Sequence, residues 1–396
     1  MHRRLLAFLR AASLATGALS CPTPGWARDD DEKVSAHAEI GAEYDNNVHR
    51  VEQLPGDRIG VVGSALARAV VGLSVSDRLT ASQDVAFSVL GAAKLFAAPA
   101  ARSENVGIVE TSGAWNLMLS PRTRAGVGAT YYEATQSGTA TERALAAERD
   151  MVAEARDFRS LVPSLRALHA IGDGATLGLS VGHRWFVYKP LPDYDFRAPV
   201  ASLEYRFVHE TAEGDAEWEL VSAANVELRR FSGPRLQVQT PGCAPDVCVT
   251  IPDPSGARHT DQFLSAQLDL TRTGRILVGA GYAIQWNRSN SYAESLIRHV
   301  ASIRLTAPLP LGLYFAARTE LVYVSYPDKV ALVMGTSGQP GATIEEETRS
   351  QVRGELTRDL SQRLQLMARY TFYANAIGQG QYRRQTATVS LIVSTN

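Results

Sequence analysis

The segment Val34-Ser35-Ala36-His37-Ala38-Glu39-Ile40-Gly41-Ala42-Glu43-Tyr44 changes character at every residue. Its even-numbered positions are apolar, small or aromatic, whereas its odd-numbered positions are polar, charged or glycine. Successive side chains of a β-strand point to opposite faces of the sheet. A period of two therefore predicts a strand with one apolar and one polar face, rather than a helix.

The same alternation recurs along the chain, which predicts an all-β protein. Clear examples lie in residues 217–229, 276–287, 363–372 and 384–393. No run of about 18 apolar residues follows the N-terminal region, so the sequence predicts no transmembrane helix there. The formal net charge of −1 argues against a nucleic-acid-binding protein, which would carry a basic excess.

The links between the alternating segments are short and long in turn. The short links lie near residues 76–78, 120–123, 172–174, 213–215, 273–274, 308–310 and 358–360. The long links lie near residues 45–58, 97–105, 136–157, 189–197, 232–258, 288–293, 327–345 and 375–382. Short turns at one end and long loops at the other are typical of outer-membrane barrels. We therefore predict a transmembrane antiparallel β-barrel of about 16 strands; the count becomes 14 or 18 if a loop hides a hairpin or one hairpin is false.

The N-terminal residues match the layout of a secretory leader. Arg3 and Arg4 precede a mainly apolar stretch, and Gly25-Trp26-Ala27 offers small residues for cleavage. The predicted organisation is a signal peptide over residues 1–27, a short periplasmic N-terminus over 28–33 and the barrel over 34–396. A lipoprotein anchored through Cys21 is the alternative, although Ala18-Leu19-Ser20 is a poor match to a lipobox.

Aromatic residues cluster where every second predicted strand reaches a long loop. Because aromatic rings prefer the membrane interface, we interpret these residues as an outer girdle. The alternative is that aromatic residues simply favour strands. The residues are Tyr44, Phe96, Tyr131, Tyr132, Trp185, Phe186, Tyr188, Phe231, Trp286, Tyr323, Tyr326, Tyr370, Phe372 and Tyr373.

The opening stretch Ala38-Glu39-Ile40-Gly41-Ala42-Glu43-Tyr44-Asp45-Asn46-Asn47-Val48 resembles the first strand and loop of β-barrel porins of Gram-negative bacteria. Many of those barrels are similar to ones found with exopolysaccharide or capsule export systems. The resemblance implies an outer-membrane location and a periplasmic polysaccharide-export protein as a partner. That location implies further contacts with outer-membrane lipids, lipopolysaccharide and the barrel-assembly machinery. One departure is the C-terminus, Leu391-Ile392-Val393-Ser394-Thr395-Asn396, which lacks the usual final aromatic residue.

Charged residues opposite the apolar faces are the candidate pore lining. The C-terminal half contributes Arg298, Arg304, Arg349, Arg353, Arg363, Arg369 and Arg384. The N-terminal strands contribute Glu39, Glu43, Asp84 and Glu110. Basic and acidic sectors on one wall would create a field across the lumen that filters polar solutes. The alternative is that a wide barrel merely tolerates charges that neutralise one another.

Other motifs carry weaker expectations. Cys243 and Cys248 are predicted to form a small disulfide in the longest outer loop, because a two-cysteine metal site would need further ligands. Residues 139–158 are rich in helix formers and predict a helix in the third outer loop. The histidines show no catalytic spacing, so we expect neither an enzyme nor a cofactor.

The sequence leaves three functions open. The first is an outer-membrane channel that passes polar or polysaccharide cargo within an exopolysaccharide or capsule export system. The second is a general diffusion porin for small solutes. The third is a plugged structural or adhesion barrel.

Overall fold

The computed structural model describes residues 34–49, 61–136, 157–189, 192–211, 216–239, 250–292, 294–325, 327, 349–374 and 383–395. The predicted leader over 1–27, the segment over 28–33, both cysteines of the predicted disulfide and most of the predicted third-loop helix lie outside these residues. Within them, no helix has the length and apolar character needed to cross a bilayer.

Eighteen β-strands are present in the described part of the chain. They are β1 Val34–Asp45, β2 Ser64–Thr80, β3 Gln83–Phe96, β4 Val106–Ser120, β5 Thr123–Gln136, β6 Phe158–Gly172, β7 Ala175–Tyr188, β8 Phe196–Glu210, β9 Glu217–Pro234, β10 Leu236–Val238, β11 Thr250–Pro252, β12 Arg258–Thr273, β13 Leu277–Ser289, β14 Leu296–Leu309, β15 Leu313–Ser325, β16 Ser350–Asp359, β17 Leu364–Ala374 and β18 Arg383–Ser394. Short 3₁₀ helices cover Pro99–Glu104, Pro192–Tyr194 and Pro310–Gly312.

Sixteen of these strands form one closed antiparallel barrel, which confirms the predicted fold class and strand number. Each barrel strand pairs with its neighbours in sequence, and β1 closes the sheet by pairing with β18. The remaining strands, β10 and β11, form a separate two-stranded sheet in the long connection between β9 and β12. The last strand, β18, pairs along its length with both β1 and β17.

The pairing of β1 with β18 shows how the alternating pattern is used. Glu43 lies opposite Thr388 and is buried, whereas Tyr44 lies opposite Ala387 and is exposed. The same division holds around the barrel: Ile40 and Ile303 are 69% and 63% exposed on the outside. A soluble protein buries its large aliphatic residues, but this barrel exposes them and directs its polar residues inward.

The short turns lie at the barrel end that holds the start of β1 and the end of β18, and we call the opposite end the outer end. Several turns fall a few residues beyond their predicted positions, because the strands are longer than the alternation alone suggested. For example, β2 continues through the predicted turn at 76–78 to Thr80. Gly174, in the turn between β6 and β7, has φ +79°, and a Cβ there would collide with the Val208 carbonyl oxygen.

Gly174→Ala is expected to lower the free energy of unfolding by about 1–2 kcal/mol or more. Left-handed backbone costs an L residue about that amount, and the collision with Val208 adds to it. Urea titration of the refolded barrel in lipid vesicles measures the loss. Gly172→Ala is the matched control, because a Cβ on Gly172 meets open space. Equal midpoints for the two variants would contradict the prediction.

Candidate functional site

The inner wall of the barrel is the candidate functional site. Sixteen strands give a barrel wide enough for an aqueous channel rather than a core filled by side chains. Strand parity directs every second side chain into this space, and closure places the two ends of the chain side by side. The wall can therefore be followed from strand to strand through directly opposed residues.

A buried network of charges occupies the seam where the first and last strands meet. The Glu43 carboxylate accepts a hydrogen bond from Lys94 Nζ at 2.8 Å and one from Thr388 Oγ1 at 3.0 Å. Arg68 pairs with Glu43 at 3.5 Å and with Glu39 at 3.0 Å. Because Lys94 and Arg68 are themselves buried, each charge depends on its partners for solvation.

Asp45 and Arg384 form a second pair across the same seam. Arg384 donates from Nη2 to Asp45 Oδ2 at 2.6 Å and from Nε to both carboxylate oxygens at 3.0 and 3.1 Å. The Arg384 guanidinium also lies 5.2 Å from the centroid of the Tyr373 ring. Both charged side chains are buried, so this forked pair fixes the register of β1 against β18 at the outer end.

Three arginines form a row across neighbouring C-terminal strands, on the inner wall a few strands from the seam. Arg304 of β14 lies opposite Arg318 of β15, which lies opposite Arg353 of β16. We call these three residues the arginine row. Arg304 donates to Thr271 Oγ1 and lies over Gly279, where a Cβ would collide with its side chain.

Carboxylates flank the arginine row without outnumbering it. Arg318 pairs with Glu320, and Arg369 donates to Glu355 Oε2 at 2.9 Å. The inward positions of strands β14 to β17 hold five arginines and, apart from Asp359 at the turn end, two glutamates. The arginines are Arg298, Arg304, Arg318, Arg353 and Arg369. This part of the wall is therefore positively charged.

The structure places most of the sequence-predicted charged residues on the inner wall, though not in two separate sectors. Glu39 and Glu43 contact Arg68 and Lys94, so the expected acidic sector is neutralised at the seam. Asp84 accepts a hydrogen bond from Asn116 at 2.6 Å. Glu110 is an inward residue of β4, and Arg298 is an inward residue of β14.

Two of the predicted arginines lie outside the strands. Arg363 is exposed in the turn between β16 and β17, so it is not part of the inner wall, because β17 begins only at Leu364. Arg349 directly precedes β16 at the outer end. Conversely, Arg318, Arg68 and Lys94 lie on the inner wall although the sequence analysis did not predict them there. Counting positions from the ends of β2, β3 and β15 would have placed them on the inward face.

The predicted aromatic girdle divides between the two faces of the wall. Tyr44, Trp185, Trp286, Tyr323 and Tyr370 are exposed on the outside, as an interfacial girdle requires. The interpretation is wrong for another set, whose rings are buried on the inside: Phe96, Tyr132, Phe231 and Tyr373. Neighbouring aromatic residues on a strand necessarily point to opposite faces. Tyr326 lies outside the described residues.

The inward aromatic rings form a continuous stack near the outer end. Ring centroids are 5.4 Å apart for Tyr132 and Phe158, and 5.2 Å apart for Phe158 and Phe186. The stack continues through Phe196 and Phe231 to His259, with separations of 4.7, 5.1 and 3.8 Å. This packing rigidifies one side of the outer mouth.

His259 does not have the geometry of a catalytic relay. Its Nε2 atom lies 2.7 Å from Asp261 Oδ1 and 3.0 Å from Ser289 Oγ. A Ser–His–acid relay uses both ring nitrogens, one facing the acid and one facing the serine. Here one nitrogen faces both groups, and the arrangement is that of a buried polar cluster.

A second histidine, His49, holds the segment after β3 in place at the outer mouth. His49, just after β1, contacts Ala100 O through Nε2 at 2.9 Å and Glu104 Oε1 through Nδ1 at 3.4 Å. The hydrogen bond with Glu104 raises the pKa of His49. These contacts fix the 3₁₀ helix Pro99–Glu104 against the end of the first strand.

The outer surface of the barrel indicates the cellular location of the protein. Its outward positions form a band of exposed aliphatic side chains, with tryptophans near its outer edge. A closed barrel satisfies its backbone hydrogen bonds within the sheet, which is the requirement for spanning lipid with strands. The molecule is an outer-membrane β-barrel.

Comparison with known proteins finds similar folds among solved structures but no similar sequence. No model of a known protein family matches the chain, and no curated protein matches its sequence. One similar solved structure is the loop L8 deletion mutant of OmpT from Vibrio cholerae, at 12% identity over 91% of this chain and 99% of that chain, with a TM-score of 0.44. Another is OmpF of Salmonella typhi in complex with daunomycin, at 10% identity over 92% and 98%, with a TM-score of 0.46. A third is a bacterial polysaccharide outer membrane secretin, at 7% identity over 91% and 98%, with a TM-score of 0.42.

Arg384→Gln is expected to destabilise the barrel by about 3–5 kcal/mol, because it leaves the Asp45 carboxylate buried without its cation. Urea unfolding in lipid vesicles measures the change. Arg383→Gln is the matched control, because Arg383 is the preceding residue and is exposed. The role assigned to the seam is wrong if both variants unfold at the same urea concentration.

Proposed function

We propose that this barrel is an outer-membrane channel whose arginine row selects anionic solutes, and that its cargo is an acidic polysaccharide. The observation that carries the proposal is the direct cross-strand alignment of Arg304, Arg318 and Arg353 on the inner wall. Three guanidinium groups in one row, each able to form two parallel hydrogen bonds, attract carboxylate, phosphate or sulfate groups more strongly than isolated surface arginines do.

The charge distribution gives a physical basis for selectivity. At the seam, carboxylates neutralise the cations, whereas strands β14 to β17 keep a positive excess. Arg318 also remains in contact with solvent, with 23% of its side chain exposed. A mobile anion passing this wall meets fixed guanidinium groups, and a mobile cation is repelled by them.

The polysaccharide cargo rests on the N-terminal motif and on the chemistry of the arginine row. Acidic polysaccharides carry repeated carboxylates, and a row of guanidinium groups offers several of them forked hydrogen bonds at once. In this proposal the barrel works with a periplasmic polysaccharide-export protein. A general diffusion porin and a plugged structural barrel are the competing functions, and conductance measurements distinguish all three.

Neutralising the arginine row is expected to reduce anion preference. In planar bilayers, we expect the triple variant Arg304→Gln, Arg318→Gln, Arg353→Gln to lower the anion-to-cation permeability ratio about five-fold or more. One unit charge 4 Å from an ion in water contributes about 1 kcal/mol, which is a factor of about five. Reversal potentials in a salt gradient measure the ratio.

Arg363→Gln is the control for this experiment, because Arg363 lies in a turn and is exposed. It removes one arginine without changing the inner wall, so its permeability ratio should equal that of the unmodified protein. An unchanged ratio in the triple variant would refute the selectivity role. The absence of any conductance from the folded protein would favour a plugged barrel.

Acidic oligosaccharides are expected to block the open channel, and neutral oligosaccharides of the same length are expected to block it at least ten-fold less strongly. Current fluctuations recorded as each sugar is added give the binding constant. Equal block by both sugars would remove the arginine row from recognition. A channel that conducts ions but responds to neither sugar would be a general diffusion porin.

A further inference from the structure

Four neighbouring barrel strands each carry an exposed arginine at or near their outer end. Each arginine occupies an outward position, next to the last strand residues that face the lipid. We call them the rim arginines: Arg197 of β8, Arg230 of β9, Arg258 of β12 and Arg288 of β13.

Two of the rim arginines are direct cross-strand partners. Arg197 lies opposite Arg230, so their Cβ atoms are separated by about 4.5–5.5 Å. Like charges in directly opposed positions destabilise a sheet. The sheet therefore holds two cations together on its outer face, where an added anion would relieve their repulsion.

Arg229, the residue before Arg230, is a paired arginine and gives a direct comparison. Arg229 points inward, donates to Glu227 at 3.1 Å and lies 4.3 Å from the centroid of the Phe263 ring. Arg230 points outward and is exposed. Among the described residues, neither Arg197 nor Arg230 has a carboxylate within 4 Å.

On the strands that carry them, the rim arginines have no acidic neighbour on the outward face. From the level of Trp185 and Trp286 outward, the described outward positions within β8, β9, β12 and β13 contain no Asp or Glu. Asp195, which directly precedes β8, accepts a hydrogen bond from the Tyr188 backbone nitrogen at 2.6 Å. Lys189, the residue after β7, differs from the rim arginines because it pairs with Glu133 of β5 at 2.9 Å.

Tryptophans place the rim arginines at the membrane boundary. Trp185 of β7 lies opposite Arg197, and Trp286 precedes Arg288 by two residues on the same face of β13. Both tryptophans are exposed on the outside, where indole rings mark the interface between hydrocarbon and headgroups. Towards the middle of the barrel the outward residues become aliphatic, beginning with Leu228 and Leu264.

We propose that the rim arginines form a binding site for the phosphate groups of a phosphorylated glycolipid in the outer leaflet, namely lipopolysaccharide. Guanidinium groups bind phosphate through two parallel hydrogen bonds, and four of them lie along one arc of the rim. The aliphatic band below them is positioned to contact the acyl chains of the same lipid molecule. This site is separate from the arginine row, which lies on the inner wall.

The test is a direct binding measurement on the full barrel in detergent micelles. Fluorescently labelled lipopolysaccharide that carries its lipid A phosphates is titrated with protein and followed by anisotropy. Arg197→Gln combined with Arg230→Gln is expected to weaken binding about ten-fold or more, because each arginine supplies charge-assisted hydrogen bonds. Arg197→Lys combined with Arg230→Lys should bind more tightly than the glutamine variant but less tightly than the unmodified protein. Lysine keeps the positive charge but cannot form the two parallel hydrogen bonds of a guanidinium group.

The matched control is Arg272→Gln. Arg272 is an exposed, outward arginine of β12 at the opposite end of the barrel, 5.9 Å from the centroid of the Trp218 ring. Its loss should leave affinity unchanged. The heat-induced shift of the folded barrel on gels confirms that each variant has folded.

Two measurements on the unmodified protein keep the proposal falsifiable without variants. Lipopolysaccharide stripped of its phosphates should bind about ten-fold or more weakly, and phosphatidylglycerol or inorganic phosphate should compete poorly. Equal binding of the dephosphorylated glycolipid would overturn the phosphate site. Equally strong competition by phosphatidylglycerol or inorganic phosphate would overturn recognition of the glycolipid. A loss in Arg272→Gln as large as that in the rim variant would show that position on the rim does not matter.

Discussion

The pairing of the first strand with the last is the constraint on which the rest of the structure depends. An open sheet would leave unpaired backbone groups at both edges, and lipid offers them no hydrogen-bonding partner. Closure through β1 and β18 removes these edges and joins residues more than three hundred positions apart in sequence. The buried pair of Asp45 and Arg384 and the contact between Glu43 and Thr388 exist only because this seam is formed.

Closure also gives each strand an inside and an outside, and the two faces follow opposite rules. The outer face must be apolar because it meets hydrocarbon, so large aliphatic residues are exposed there. The inner face can hold charges, but a buried charge is costly unless other groups solvate it. At the seam the protein meets this requirement with a dense network around Glu43. Along strands β14 to β17 the cations outnumber their carboxylate neighbours, and the wall remains positively charged.

Arginine consequently has several environments in one barrel. Inside the lumen, the arginine row is placed to meet solutes that pass along the wall. On the outer rim, four exposed arginines point away from the lumen. Arg229 and Arg230 show that a single step along a strand separates a buried, paired cation from an exposed one. Residue type alone therefore cannot assign a role, because the role depends on which face the side chain occupies.

The sequence by itself determined the fold class and the approximate strand number, since alternation and the order of short and long links are local properties of the chain. Most of the charged residues that it predicted as pore lining do point inward, including Arg304 and Arg353. Only the tertiary structure revealed that Arg318 lies between them and that Arg68 and Lys94 neutralise Glu39 and Glu43. It also showed that Arg363, predicted on the inner wall, lies in a turn, and that about half of the predicted aromatic girdle faces the lumen. These features depend on strand register and closure, which are set by pairing between distant segments and not by the pattern within any one of them.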